Sequence, residues 1–143
     1  MKKILLKSIS LSLVLIFALT LAGCGAKVEK TGLWENATYL SDTTLGQGAK
    51  TLTVKVKAEE KEITFTVKTD KTTVGDALVE HSVVEGEQGA YGLYIKKVNG
   101  ITADYDVDQA YWAFYENGQY AMSGVDSTDI NEGTVYSLEY TKG

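Results

Sequence analysis

Two stretches near the middle of the chain alternate apolar and polar residues. Every second residue is apolar in residues 51–57 and again in residues 62–69. The apolar members are Leu52, Val54, Val56, Ile63, Phe65 and Val67. A period of two is typical of strands with one buried face, and the short charged link between the stretches indicates a hairpin.

A short helical pattern follows this hairpin. Thr73 can cap the helix, and Asp76 stands where the positive end of the helix dipole favours a carboxylate. The residues expected on the buried face recur with helical spacing, namely Val74, Ala77, Leu78 and His81. The pattern predicts one short helix that starts at Thr73.

Several strands are predicted after the helix. The strand segments are 92–98, 111–116, 119–123 and 134–141, and the loops are 85–89, 102–109 and 124–133. Asn99-Gly100 and Asn117-Gly118 are the residues that type I′ turns favour. Strands separated from a single helix indicate an α+β fold, with one short helix packed on one face of a mostly antiparallel sheet.

The first residues have the three parts of an export signal. Lys2, Lys3 and Lys7 precede an apolar run over residues 9–21, and small residues lead up to Cys24. Leu21-Ala22-Gly23-Cys24 resembles the lipobox of bacterial lipoproteins. We therefore expect residues 1–23 to be a signal peptide and Cys24 to carry the lipid that anchors the protein on the outer face of the cytoplasmic membrane.

The remaining chain divides into a spacer over residues 24–49 and one domain over residues 50–143. The spacer is polar and rich in turn residues, although four of its residues could instead dock on the domain. These are Leu33, Trp34, Tyr39 and Leu40.

Composition narrows the function classes. Without the predicted signal peptide the chain has 11 Lys against 19 acidic residues, and it has no Arg. An acidic surface without Arg argues against nucleic acid as a partner, because neutralisation of phosphates dominates that affinity. The single cysteine excludes a disulfide within one molecule.

The order of the motifs resembles the transcobalamin-like C-terminal domain family. The resemblance covers residues 50–142 and rests on five segments: Thr73-Val74-Gly75-Asp76-Ala77-Leu78, Val98-Asn99-Gly100, Tyr111-Trp112-Ala113-Phe114-Tyr115, Gly124-Val125 and the closing strand 134–140. It implies a β-grasp fold and a corrinoid such as cobalamin as ligand. It also places Trp112 on the ligand side. In transcobalamin the ligand lies against a large helical domain, and no segment of this sequence is expected to form one.

Aromatic residues supply the candidate ligand site. Because Asn117-Gly118 fixes the hairpin register, Tyr115 is expected opposite Tyr120. Trp112 and Phe114 then point towards the helix. The candidate ligand-binding residues are Tyr94, Tyr111, Trp112, Tyr115, Tyr120 and Met122. These tyrosines equally fit ordinary cross-strand pairs that stabilise a sheet.

No catalytic or metal set can be read. Asp104, Asp106 and Asp108 have the spacing of a calcium loop, but Gln109 and Tyr115 stand where an EF-hand needs Gly and Glu. We interpret that segment as a solvated acidic loop. His81 has no second histidine or cysteine near it in sequence, so a structural role at the helix end is expected.

The sequence thus predicts a binding lipoprotein that is not an enzyme and has no resident cofactor. A small molecule, with cobalamin or another corrinoid as the first candidate, would be its ligand, and a membrane transporter would be a partner for uptake. The alternative is a surface module for protein interaction or adhesion that uses the aromatic face of the sheet.

Overall fold

The computed structural model describes residues 27–143. The predicted signal peptide and Cys24 lie outside these residues. Within the described part of the chain, none of the helices has the length and apolar character needed to cross a membrane.

The described chain contains nine strands and two α-helices. The strands are β1 (Thr43–Gly46), β2 (Lys50–Ala58), β3 (Lys61–Thr69), β4 (Val84–Gly89), β5 (Gly92–Val98), β6 (Ile101–Thr102), β7 (Ala110–Glu116), β8 (Gln119–Tyr120) and β9 (Val135–Lys142). The helices are α1 (Val74–Glu80) and α2 (Tyr105–Asp108), and 3-10 turns cover Gly32–Asn36 and Val125–Ser127.

The strands form two sheets. The larger has the order β1-β3-β2-β9-β7-β8, and the smaller has the order β4-β5-β6. Strands β2 and β9 are parallel at the centre of the larger sheet, and each has an antiparallel neighbour, β3 and β7. In a β-grasp, a hairpin is followed by a helix and then by further strands, and the first and last of these strands are parallel at the centre of the sheet. Strands β2 and β9 have these positions here. The predicted α+β class is confirmed.

Helix α1 covers one face of the larger sheet. Its first turn is capped as predicted, because the Thr73 hydroxyl accepts a hydrogen bond from the backbone N–H of Asp76 at 3.2 Å. Val74, Ala77 and Leu78 are fully buried. They pack with the apolar side of the strands, including Leu52, Val54, Val56, Ile63, Phe65 and Val67.

Much of the predicted spacer is packed on the domain. Trp34 is fully buried, and its indole Nε1 donates to the carbonyl of Ala58 at 2.9 Å. Strand β1 adds to the edge of β3 in parallel. The folded unit therefore includes residues before 50. The sequence left open whether this segment docks on the domain, and in the structure it does.

The smaller sheet corrects one loop prediction. Residues 85–89 belong to β4, which pairs with β5. A bulge follows Glu85, and a Cβ at Gly86 would lie 2.0 Å from the carbonyl oxygen of Tyr94. Five of the six residues of β4 are exposed, so the strand has no alternating pattern that a sequence analysis could detect.

Two further segments differ from their predictions. The acidic loop predicted over residues 102–109 begins with Thr102, the last residue of β6, and contains α2. Asp104 caps α2 by accepting from the N–H of Asp106 at 3.0 Å. The return strand predicted over residues 119–123 ends at Tyr120. The chain then leaves the sheet edge, and this departure creates the space described next.

Candidate functional site

A groove of about 330 Å³ opens between the two sheets, at the end of β8. Strand β7 forms its floor, β5 forms one wall, and the segment after β8 forms the other. The lining residues are Leu93, Tyr94, Ile95, Tyr111, Trp112, Phe114, Tyr120, Ala121, Met122, Ser123, Gly124 and Val125. The volume is at the small end of the range for ligand sites, and the aromatic and apolar lining is typical of them.

The two rings of the floor are held rigidly. Trp112 is 6% exposed, and its Nε1 donates to the carbonyl of Ile101 at 3.2 Å. Its ring meets Tyr140 edge-on at 5.7 Å between centroids. Phe114 stacks on Tyr136 at 5.8 Å, with 12° between the ring planes. A ligand would therefore meet a preformed aromatic surface.

Asp126 fixes the β5 wall. Its Oδ2 accepts from the backbone N–H of Leu93 at 3.0 Å, while its Oδ1 is buried without a hydrogen-bond partner in the described residues. Gly92 makes this approach possible, because a Cβ there would lie 2.7 Å from Oδ1 and the residue has φ +106°. The wall thus depends on one carboxylate and on the absence of a side chain at residue 92.

The rim of the groove is both apolar and exposed. Met122 is 98% exposed, Tyr120 is 63% exposed and Tyr94 is 45% exposed. Large apolar side chains that remain in water around a concave site are typical of a binding surface.

Five of the six candidate residues from the sequence meet in this groove. They are Tyr94, Tyr111, Trp112, Tyr120 and Met122. The inward orientation of Trp112 and Phe114 is confirmed by their burial. Trp112 can point inward and still lie on the ligand side, as the resemblance implies, because the inner face of β7 borders the groove where β8 ends.

Tyr115 lies outside the groove. The predicted pairing of Tyr115 with Tyr120 is confirmed, and their rings meet edge-on at 5.6 Å. Burial raises the pKa of Tyr115, and the nearby Glu139 carboxylate raises it further, followed by Tyr111 and Tyr120. Tyr115 therefore belongs to the face of the sheet opposite α1, and it is separate from the groove lining.

Sequence reasoning missed the aliphatic walls of the groove. Leu93, Ile95 and Val125 are ordinary apolar residues in the sequence, and only the tertiary fold brings them beside Trp112. The only one of these residues with a signal in the sequence is Val125, which belongs to the Gly124-Val125 segment of the family resemblance.

The other candidate groups form no metal site in the described residues. His81 follows α1, and its Nε2 lies 3.2 Å from a Glu80 carboxylate oxygen without hydrogen-bond geometry. Across residues 27–143 no group of three or more His, Cys, Asp or Glu side chains could hold a metal ion. The aromatic groove is therefore the candidate site.

Solved structures of other proteins resemble this chain. A protein of Ruminococcus gnavus, described provisionally as metal-binding, is 33% identical, with a TM-score of 0.62. The match covers 66% of this chain and 98% of the other. Haptocorrin in complex with Cbi is 19% identical with a TM-score of 0.49, and the match covers 64% of this chain and 25% of haptocorrin.

No curated protein matches the sequence. The scan against family models gives a match over residues 71–142, which include α1, the smaller sheet and the strands β7 to β9. The matched segment therefore contains every residue that lines the groove. The chain belongs to the family described as a domain of unknown function, DUF4430.

Proposed function

We propose that this protein is a lipid-anchored binding module that holds a small, partly aromatic or apolar molecule in the groove over Trp112 and Phe114. The observation that carries the proposal is the groove itself, with a rigid aromatic floor and an exposed apolar rim. No cofactor or catalytic group is part of the proposal.

A corrinoid such as cobalamin is the first ligand to test. The support is the resemblance of the sequence motifs to the transcobalamin-like family and the concave aromatic surface. The groove volume of about 330 Å³ would admit only part of so large a molecule. We therefore expect one edge of the ligand to enter, with the rest exposed or covered by a partner such as a membrane transporter.

Calorimetry with cyanocobalamin and cobinamide tests this ligand. The protein is the chain from residue 24 to 143 with Cys24→Ser, which removes the lipid attachment and leaves the described residues unchanged. Met122→Asp should weaken binding, because it places a charge on the apolar rim. Val107→Asp is the matched control, because Val107 is also an exposed apolar residue at 77% and lies outside the groove.

No heat with either compound at high concentration would reject the corrinoid. Equal weakening by Met122→Asp and Val107→Asp would reject the groove as the place where it binds.

The anchor is part of the same proposal and has a separate test. Lipidation at Cys24 would confine the domain to the membrane surface, where a weak binder works at a high effective concentration. Full-length protein should fractionate with membranes and incorporate labelled fatty acid, and Cys24→Ser should abolish both. Label that persists in the variant would disprove this anchor.

Protein interaction is a second candidate function, favoured by the Tyr115–Tyr120 pair on the outer face of the sheet. Tyr120 is 63% exposed there, and Tyr is common at recognition surfaces. Tyr115→Ser should reduce capture of a surface partner in proximity labelling, because it removes one ring of the pair. Unchanged capture would reject this function.

A further inference from the structure

Strand β7, which forms the floor of the groove, is paired with β8 over only part of its length. Along β7, backbone groups point alternately towards β9 and away from it. Asn117 donates its N–H to Val135 at 2.8 Å, so the odd-numbered residues of this strand point towards β9. Ala121 donates to the carbonyl of Phe114 at 3.0 Å, so the even-numbered residues point towards β8 and the groove.

At Trp112 the side of β7 that faces away from β9 is no longer paired with β8. The ladder between β7 and β8 pairs only Tyr115 with Tyr120 and Glu116 with Gln119. Ala121 adds one more bond, and the chain then departs. Within residues 27–143, neither the backbone N–H nor the carbonyl of Trp112 has a hydrogen-bond partner.

The backbone N–H and carbonyl of Trp112 are therefore available to a molecule in the groove that Trp112 lines. The N–H and carbonyl of one residue in an extended strand point the same way, and they pair with the carbonyl and N–H of one residue on an antiparallel neighbour. The matching ligand carries N–H and C=O groups separated by one carbon.

The space decides how much of such a ligand fits. Two strands that accept a third strand between them must be about 9.6 Å apart, twice the spacing within a sheet. Cα atoms of β5 and β7 approach within 8 Å, so a full strand cannot lie between them along their whole length. A single residue-like unit needs only the groove of about 330 Å³ that Trp112 lines.

We propose that the groove binds an α-acylamino carbonyl unit, which is the chemical group of one extended peptide residue. The backbone N–H and carbonyl of Trp112 would form the hydrogen bonds to this unit. An apolar or aromatic substituent on that unit would pack on the Phe114 side of the floor and under the Met122 rim. This inference rests on the proposed groove and does not require a corrinoid.

A matched pair of compounds tests the inference on the residue 24–143 chain with Cys24→Ser. N-acetylphenylalanine N-methylamide carries the unit, and its depsipeptide analogue replaces the donor N–H with an ester oxygen. NMR titration follows the Trp112 amide resonance. We expect the amide to bind about fivefold more tightly, the effect of one hydrogen bond, and to shift the Trp112 N–H downfield.

The outcomes separate this inference from the proposed ligand. Equal binding of both compounds, or binding without a shift at Trp112, overturns the backbone pairing. Binding of cobinamide with no binding of either peptide compound overturns it too and leaves the corrinoid proposal intact. Tighter binding of the amide in the absence of cobinamide binding supports the inference and rejects the corrinoid. Val107→Asp, at an exposed residue outside the groove, is the control that should leave every titration unchanged.

Discussion

Asn99 holds the backbone of Tyr39 with both ends of its side-chain amide. Its Oδ1 accepts from the N–H of Tyr39 at 2.9 Å, and its Nδ2 donates to the carbonyl of Tyr39 at 2.9 Å. Asn99 is 1% exposed. Its φ is +51°, because it is also the first central residue of the turn between β5 and β6. One residue thus forms a turn of the smaller sheet and ties the N-terminal segment to it.

Asn99→Asp should therefore destabilise the protein. The substitution keeps the turn and the acceptor oxygen, but it removes the Nδ2 donor and leaves the carbonyl of Tyr39 unpaired beside a buried charge. We expect the free energy of unfolding to fall by about 1–3 kcal/mol in urea denaturation.

Asn117→Asp is the matched control for this substitution. Asn117 is also the first residue of an Asn-Gly turn, but it is exposed, and its Oδ1 accepts from the N–H of Val135 at 2.9 Å. That bond survives the change to Asp. A loss of stability equal to that of Asn99→Asp would show that the Tyr39 contacts contribute little.

A second prediction concerns Trp34 and the start of the folded unit. Trp34→Ala removes a fully buried ring and its hydrogen bond to Ala58, so we expect a loss of about 3–5 kcal/mol in the free energy of unfolding. Glu35→Ala, in the same 3-10 turn but exposed, should change it by less than about 0.5 kcal/mol. A fragment that starts at residue 50 should unfold at lower urea concentration than one that starts at residue 27. Equal midpoints would restore the spacer interpretation.

The sequence predicted those elements whose pattern is local. Alternation identified β2 and β3, and the two Asn-Gly turns placed the hairpins and the Tyr115–Tyr120 register. Strand β4 was missed, because it is exposed on both faces and pairs only through its backbone. Trp34 was ambiguous for a related reason, since a buried aromatic residue within a polar segment has no periodicity.

The candidate site was predictable on its aromatic side only. Tyr120 and Met122 come after the Asn117-Gly118 turn that ends β7, and the hairpin register grouped them with Tyr111. Trp112 was included because of the family resemblance. The opposite wall comes from Leu93 and Ile95, about 20 residues earlier, and from Val125 after the sheet edge. Local patterns do not specify how two sheets pack, and the free edge of β7 exists only because β8 ends after two residues.

The third prediction is a pH dependence at Tyr115. Its pKa is raised from the ordinary 10.0 in the folded protein, first by burial and then by Glu139. Because the unfolded chain loses this proton at a lower pH than the folded one, stability is fully present below about pH 10 and falls as the pH rises further.

Glu139→Gln should lower the pKa of Tyr115 towards 10.0, because it removes the second contribution and leaves the burial. Carbon NMR of the tyrosine Cζ atoms resolves the individual titrations. Tyr140 is an internal control, because burial, Asp108 and Glu59 raise its pKa without a contribution from Glu139. Parallel shifts of Tyr115 and Tyr140 would mean that the substitution acts through a general change of structure.

The last prediction concerns the carboxylate that fixes the β5 wall. Asp126→Asn keeps an oxygen to accept from the N–H of Leu93 and replaces a buried, unpaired carboxylate oxygen with a neutral group. Because the bond to Leu93 is kept and one buried polar atom is still unpaired, this variant should be about as stable as the native protein. Asp126→Ala leaves the Leu93 N–H without its acceptor, and we expect a loss of about 1–3 kcal/mol.

The two Asp126 variants also separate the shape of the groove from its charge. If Asp126 only positions β5, the Asn variant should keep ligand affinity while the Ala variant loses it, because the wall is then no longer fixed against Trp112. Calorimetry with the compound that binds best, together with urea denaturation, measures both effects. Loss of affinity in the Asn variant with stability intact would contradict a purely positioning role, and it would show that the carboxylate charge itself contacts the ligand.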